Sequence, residues 1–507
     1  MNKIRKRRDN LIYVIKGEAP SFKYTIQTPS NNYAYSLSMT ALPDTMVIDW
    51  GDGSTEQFTN VSSVNHSYTT TGSYQITIKH SQGLNKCPRL NFKNSTVLKT
   101  VDTPFLTMYS SSAEITEASD MFYRCTNLTT IPNLLFSNNP SITSFYETFY
   151  KCINLSSIPS DLFSTNVNVK YFTSTFYGCN KLTTIPEDLF INNTAAVGFN
   201  GTFNSCDKLT TIPSGLFRNN TNVTSFQGTF TLCNSLTTIP SGLFSNNEKV
   251  TNFKETFYYC LKLQSIPAGL FSNNTAVTNF ANTFLSCIAL QSIPAGLFDN
   301  NTAVTNFSNV FSNCQKIASI PSGLFDHTTN VTDFSYVFNG CRPLQSIPNG
   351  LFDNNTAAID FSYAFSGCSS LQSIPNGLFD NNTAVTNFSG CFSSCSSLQS
   401  IPNGLFNNNM VATDFSTCFS GCNMLKLNSN IFCDEETEKA TRFSNVNKQM
   451  NFSYCFNVSS FTGEKGTSPT LWEYTYSTTP YSPHCFKSNT IDSQITNAAD
   501  VPAEWKA

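Results

Sequence analysis

A cysteine recurs every 27 residues through the middle of this chain, within a phrase such as IPNGLFDNNTAVTNFSGCFSSCSSLQS. Twelve copies follow one another without an insertion. Strict self-similarity at such a period is typical of a solenoid, in which each repeat forms one coil and contacts only the neighbouring coils. The repeated cysteines are Cys125, Cys152, Cys179, Cys206, Cys233, Cys260, Cys287, Cys314, Cys341, Cys368, Cys395 and Cys422.

The apolar residues keep the same period as the cysteines. Phenylalanine stands three before, seven before and eleven after the cysteine, and these three positions hold 34 of the 44 phenylalanines. Within one repeat, the spacing predicts a helical or turn-like stripe that runs into a short strand ended by Pro240. That stripe is Val223, Phe226, Phe230, Cys233, Leu236 and Ile239. Stacking would bury these side chains in continuous files, so the aromatic excess indicates a core.

The repeated cysteines are expected to be buried free thiols. Equivalent positions in stacked coils lie about 4.8 Å apart, beyond the usual Cβ separation of a disulfide. A redox or metal role is the alternative, but the chain has no pair of Cys-x-x-Cys motifs at zinc-finger spacing. A second, shorter file precedes the conserved phenylalanine late in the chain: Cys391, Cys418, Cys455 and Cys485.

A different pattern precedes the repeats, with strand-like alternation in FKYTIQT, YAYSLSM and YQITIKH. We therefore predict a chain that is mainly β with short helices, an immunoglobulin-like β-sandwich followed by a leucine-rich-repeat-like solenoid. The expected divisions are a basic arm and linker at 1–20, the sandwich at 21–84, an N-terminal cap at 85–120, twelve repeats at 121–426, and irregular repeats with a cap at 427–507.

The sandwich segment resembles the polycystic-kidney-disease-type (PKD) immunoglobulin-like domain. The resemblance lies in VIDWGDGSTEQF followed by VNHSYTTTGSYQITI. The matching residues are Trp50, Gly51, Asp52, Gly53, Ser54, His66, Tyr68, Gly72, Tyr74, Ile76 and Ile78. The resemblance implies a non-catalytic spacer or interaction module on an extracellular or particle surface.

The repeats resemble the BspA-like leucine-rich repeats through the pattern FxxCxxLxxIPxGLFxxN over residues 121–422. This resemblance implies a bacterial or protist surface protein, a group that includes adhesins. The C-terminal GTSPTLWEY and NAADVPAEWKA look like the ends of such proteins from gut bacteria and their phages. Proteins of this kind normally carry an export signal, and the sequence begins without a readable one.

Charge and hydropathy limit the partners of the chain. A net charge of -3 with only 12% charged residues provides no basic field for nucleic acid. The basic run MNKIRKRR is followed by only five apolar residues, too few for a signal-peptide core or a membrane span. We expect no cofactor, no nucleic acid and no membrane span, and homo-oligomerisation stays open.

Modules of an extracellular type without an export signal favour a structural and adhesive protein on a phage virion surface, at the head or on a tail appendage. Its N-terminal region would attach to a virion protein or another partner, and the solenoid would bind a host-surface protein or glycan. The alternative is a bacterial cell-surface or extracellular BspA-like adhesin. A polysaccharide-acting enzyme is disfavoured, because His66, His80, His327 and His484 show no Ser, Cys or carboxylate partner at a useful spacing.

Three polar or aromatic files are candidates for binding or structural roles. The binding candidates are Tyr123, Tyr150, Tyr177, Tyr258 and Tyr259, whose rings could contact sugars or protein, or merely cover the flank. A weak Ca²⁺ candidate, or ordinary turn chemistry, is the file Asp299, Asp326, Asp353 and Asp380. The asparagine fourteen after each cysteine, from Asn139 to Asn409 with Thr328 as the exception, should bond the backbone of adjacent turns along an edge.

Overall fold

The structure, a computed structural model, describes residues 19–110, 113–433, 439–444, 446 and 448–506. Most of the predicted basic arm, residues 1–18, lies outside the described residues. The described chain is mainly β, and its few helices are short. They are α1 (Ile491–Gln494) and three 3₁₀ turns at Leu471–Glu473, Ala498–Asp500 and Ala503–Trp505. None of the helices in these ranges is long and apolar enough to cross a membrane.

Ten strands form three sheets at the N-terminal end. The strands are β1 (Ser21–Gln27), β2 (Tyr33–Met39), β3 (Thr45–Asp49), β4 (Thr55–Thr59), β5 (Ser63–Tyr68), β6 (Ser73–His80), β7 (Lys86–Pro88), β8 (Leu90–Asn91), β9 (Leu98–Val101) and β10 (Thr107–Tyr109). One sheet has the order β4-β3-β6-β1-β9, a second has the order β5-β2-β8, and β10 pairs with β7. The sheets continue past residue 84, since β8 and β9 join them.

The two larger sheets share one buried core because their strands alternate buried and exposed residues. Strand β1 buries Phe22, Tyr24 and Ile26 on one face. The Tyr24 and Tyr35 hydroxyls, from different sheets, lie 3.3 Å apart. Phe22 also stacks on Phe105, with ring centroids 4.3 Å apart. The core of the sheets is therefore continuous with that of the first repeats.

The repeats stack in register, and the stripe that the sequence predicted to be helical or turn-like is turn-like. An α-helix would send each N–H to the carbonyl four residues earlier, whereas here alternate N–H groups donate to the next coil. The acceptors of Phe226, Gly228, Phe230 and Leu232 are the carbonyls of Asn252, Lys254, Thr256 and Tyr258, at 2.7–3.0 Å. Turn bonds three residues apart lie between these donors, as from Thr229 to Phe226. Turn geometry gives nearly the same apolar spacing as a helix, so the sequence pattern could not separate the two.

Cysteine and phenylalanine files fill the core, as predicted. All eighteen cysteines are buried as free thiols. From Cys152 onwards each repeated thiol donates to the carbonyl of the conserved phenylalanine in the preceding coil, as Cys233 does to Phe203 at 3.3 Å, and Cys125 donates to Phe92 ahead of the repeats. Burial raises the pKa of Cys260 to about 12, so its thiol stays protonated. The shorter file that begins at Cys391 occupies the position of buried threonines such as Thr229 in earlier coils.

The asparagine file forms the predicted ladder, but inside the stack rather than along an edge. Asn247 is completely buried, and its Nδ2 donates to the carbonyls of Asn220 at 2.9 Å and Phe217 at 3.2 Å. The other ladder asparagines from Asn166 to Asn409 repeat both contacts. Within the part of the chain that the structure describes, the Oδ1 of Asn247 has no hydrogen-bond partner. The amide N–H groups therefore carry the contact between coils.

An arginine ends this ladder. Beyond Asn409 the repeat becomes irregular, and the buried Arg442 guanidinium donates to the carbonyls of Phe406 at 2.7 Å and Asn409 at 3.1 Å. Its Nε donates to the carbonyl of Phe432 at 2.9 Å. A side chain distant in sequence thus satisfies the last carbonyls of the file.

Replacing Asn247 by alanine should destabilise the stack by about 1–3 kcal/mol, because two buried carbonyls lose a donor. The matched control is Asn246→Ala, whose exposed amide donates to the carbonyl of Arg218 and accepts from the Ser245 hydroxyl; it should change stability by less than about 0.5 kcal/mol. Denaturant unfolding followed by circular dichroism measures both. Equal losses for the two variants would contradict a structural role for the buried ladder.

Two carboxylates hold the turn between β3 and β4: Asp49 accepts the Gly51 N–H at 3.0 Å, and Asp52 makes more contacts. Asp52 lies 2.7 Å from His66 Nε2 and accepts hydrogen bonds from the Ser54 hydroxyl and backbone N–H. Burial acts to raise the pKa of Asp52, but the hydrogen bonds of Ser54 and His66 outweigh it and lower the pKa to about 2. The ionised form is therefore favoured in the folded state.

Asp52→Asn should remove an acid-dependent part of the stability of the sheets. Because the folded pKa lies below the ordinary value of 3.8, the contribution of Asp52 is present above about pH 4 and is lost as the pH falls towards 2. Trp50 stacks on His66 with ring centroids 4.7 Å apart, so tryptophan fluorescence during urea unfolding reports on this region once Trp472 and Trp505, the other two tryptophans, are replaced by phenylalanine in both proteins. The wild type should weaken over that pH range more than the variant, and parallel pH profiles would exclude the effect.

Candidate binding surface

Three of the predicted tyrosines form a continuous stack on one flank of the coils. The rings of Tyr123 and Tyr150 are 4.7 Å apart and nearly parallel, and those of Tyr150 and Tyr177 are 4.6 Å apart. All three side chains are half-buried rather than fully exposed. Their inner faces cover one another, so a ligand would meet mainly the ring edges and hydroxyl groups, not the open faces that the sequence suggested.

The hydroxyl group of Tyr150, in the middle of this stack, stays neutral. Partial burial, together with the neighbouring Tyr177 and Tyr123, raises the pKa of Tyr150. A neutral phenol both donates and accepts a hydrogen bond. The stack therefore offers a line of amphipathic edges at the spacing of the coils.

Cations that sequence reasoning missed surround the stack. Lys93 Nζ lies 4.8 Å from the centroid of Tyr123, the Arg124 guanidinium lies 5.4 Å from it, and Lys151 Nζ lies 5.5 Å from the centroid of Tyr150. These are cation–π distances. Arg124 and Lys151 stand directly before their cysteines, where later coils often have Gly, Ser or Asn. That difference in one repeat position is the signal that could have revealed them.

The other two predicted tyrosines do not join this stack. Tyr258 and Tyr259 contact each other, with centroids 4.5 Å apart. The two intervening coils have Asn204 and Thr231 at the stacking position. Tyr258 and Tyr259 therefore form a separate aromatic pair.

The aspartate file does not assemble into a cation site in the structure. The carboxylates fold back over their own Gly-Leu-Phe-Asp turns, and Asp326 and Asp353 border an open groove of about 420 Å³. Among the residues that the structure describes, no group of three or more His, Cys, Asp or Glu side chains could hold a metal ion. Turn chemistry accounts for the file, which is Asp299, Asp326, Asp353 and Asp380.

The histidines have partners that the sequence did not reveal. His66 contacts Asp52, and His80 Nε2 lies 3.7 Å from Asp44, which also pairs with Lys86. These carboxylates are distant from their histidines in the sequence, which is why no useful spacing revealed them. Ser54 is also near, but its hydroxyl donates to Asp52 rather than to His66. A nucleophile must instead contact its base, so this cluster lacks the geometry of a catalytic triad.

One family model matches the repeat region. Its description is "Mycoplasma protein of unknown function, DUF285", and it matches residues 224–350 and 305–432. The chain is therefore similar to this family over coils that contain the buried cysteine and asparagine files. No curated protein matches the chain.

Two solved structures show a weak likeness. A leucine-rich cell-surface protein from Faecalibacterium prausnitzii A2-165 is 17% identical, with 76% of this chain and 84% of that chain covered and a TM-score of 0.24. TLR13 in a complex with ssRNA13 is 15% identical, with 61% of this chain covered and a TM-score of 0.31. The match spans about half of that TLR13 chain, 47%.

Proposed function

We propose that this chain is a non-enzymatic surface protein that binds a surface protein or glycan through the flank of a leucine-rich-repeat-like solenoid. The observation that carries the proposal is the stack of Tyr123, Tyr150 and Tyr177, bordered by Lys93 and Arg124. Tyrosine and arginine are enriched where proteins bind partners, because they combine a large contact area with directed polar groups.

The N-terminal sheets are proposed to be a PKD-type attachment module at about residues 21–84. Two details support this part of the proposal. Trp50 is buried and accepts, through its carbonyl, the hydrogen bond of the Tyr68 hydroxyl at 3.0 Å. Gly51 has φ +77°, and a Cβ there would lie 2.4 Å from the carbonyl oxygen of Gln75. Backbone geometry thus requires the glycine at Gly51, and Trp50 is held in the core, which is what a structural role of this stretch predicts.

Two locations remain as proposals, a bacterial cell surface and a phage virion. The cell surface is our first choice, because the matched repeat family is described from Mycoplasma, a cellular organism. Immunogold labelling of the source culture with antibody to the repeats separates the two locations. Gold on cell envelopes supports the first choice, and gold confined to phage particles would replace it with the virion.

The double variant Tyr150→Ala/Tyr177→Ala should reduce adhesion to the host surface by about tenfold or more, because it removes two rings of the stack. The measurement is a titration of labelled full-length chain on intact cells. The matched control is Tyr171→Ala, since Tyr171 lies in the same coils and is 50% exposed but outside the stack. Unchanged adhesion of a folded double variant would remove the stack from the binding site.

A further inference from the structure

A second aromatic file occupies a backbone position that disfavours large side chains. The residue two before the conserved phenylalanine has a positive φ in each regular coil, and many coils have Gly, Asn or Ser there. Tyr336, Tyr363, Tyr454 and His484 nevertheless adopt φ values of 55–57° at this position. The coil imposes this conformation on Glu147 and Glu255 as well, but it disfavours a bulky tyrosine, and residues held in such conformations concentrate at functional sites.

Backbone hydrogen bonds place the file in consecutive coils. Each N–H at this position donates to the carbonyl just before the equivalent residue of the next coil. The donors Tyr336, Tyr363, Gly390 and Thr417 do so at 2.8 Å, and Tyr454 does so at 3.2 Å. The file therefore reads Tyr, Tyr, Gly, Thr, Tyr and His along the stack.

Two aromatic pairs border a gap in this file. Tyr336 and Tyr363 stack at 4.8 Å, and Tyr454 stacks on His484 at 4.9 Å. The ring of Tyr363 leans over Gly390, where a Cβ would lie only 2.3 Å from it. Tyr363 and Tyr454 stand three coil steps apart, about 14 Å at a coil spacing of about 4.8 Å. His484 covers one face of the Tyr454 ring, so the other face of the Tyr454 ring is on the side of the Thr417 coil.

The coil segments that hold the file are polar and contain no lysine or arginine. The segments 360–367, 387–394, 414–421 and 451–457 contain several serines, Asp360 and Asp414, and no Lys or Arg. The Oδ1 atoms of Asp360 and Asp414 accept backbone N–H groups at 2.7 and 2.9 Å, which fixes both side chains. Ring faces suit the C–H faces of a sugar, and serine and carboxylate groups suit its hydroxyls.

We propose that Tyr363 and Tyr454, with Gly390 and Thr417 between them, form a binding site for a neutral glycan chain. The carboxylates of Asp360 and Asp414 would repel an acidic polymer, which is why the proposal specifies a neutral one. This site is independent of the Tyr123 stack and goes beyond the proposed function, since it adds a second ligand-binding position and assigns its ligand class.

The test measures binding of the full chain to four neutral polysaccharides, dextran, mannan, galactan and xylan, with polygalacturonate as the acidic probe. Tyr363→Asn/Tyr454→Asn should lower neutral-polysaccharide binding about tenfold or more. Asparagine already occupies this position at Asn282 and Asn309 and tolerates a positive φ. The thermal midpoint of unfolding should therefore be unchanged or higher, which separates lost binding from lost folding.

The matched control is Tyr481→Asn, because Tyr481 is 54% exposed in the same part of the chain but lies outside the file. It should bind like the wild type, and so should Tyr150→Ala/Tyr177→Ala, even where adhesion to cells is lost. Absence of binding to every neutral polysaccharide, preference for polygalacturonate, or wild-type binding by the asparagine double variant would overturn the proposal. An equal loss in Tyr150→Ala/Tyr177→Ala would overturn a separate second site.

Discussion

The buried amide of the ladder asparagine, which the regular coils from Asn139 to Asn409 have except at Thr328, is the interaction on which the rest of this structure depends. Its N–H groups reach two carbonyls of the preceding coil, as Asn247 reaches Phe217 and Asn220. The amide meets them only if the coils keep the same length, since an inserted residue would place a different side chain there. This requirement gives a physical reason for a 27-residue period without insertions, and the aromatic files on the flank keep their spacing because of it.

Much of the stack could be predicted from the sequence, because periodicity reports directly on which residues share an environment. The buried cysteines and the hydrogen bonds of the asparagines follow from that logic. The path of the backbone could not be predicted in this way, since Phe226 and Phe230 have similar spacing in a helix and in a series of turns. The hydrogen bonds that distinguish turns from a helix run to the next coil, to Asn252 and Thr256. The sequence of a single repeat shows no sign of them. Arg442 was missed for a similar reason. It donates to the last carbonyls of the asparagine ladder, but it lies in a segment where the repeat is no longer recognisable.

The candidate surface was predicted in part. Reading one repeat position along the chain found Tyr123, Tyr150 and Tyr177, but it could not show that their faces cover one another. It also overlooked Tyr336 and Tyr363, whose significance comes from a positive φ that the sequence alone does not display. Both aromatic sets stand where several other coils have small residues, and our two binding proposals rest on this departure from the repeat.

The central claim is that each coil is stabilised by its immediate neighbours alone. Hydrogen exchange of Phe230→Ala, measured coil by coil, tests it most directly, because Phe230 stacks on Phe203 and Phe257 and is completely buried. The account predicts that protection falls in the coils of Cys206, Cys233 and Cys260 and persists in distant coils such as those of Cys341 and Cys368. A uniform loss of protection along the whole stack would contradict it.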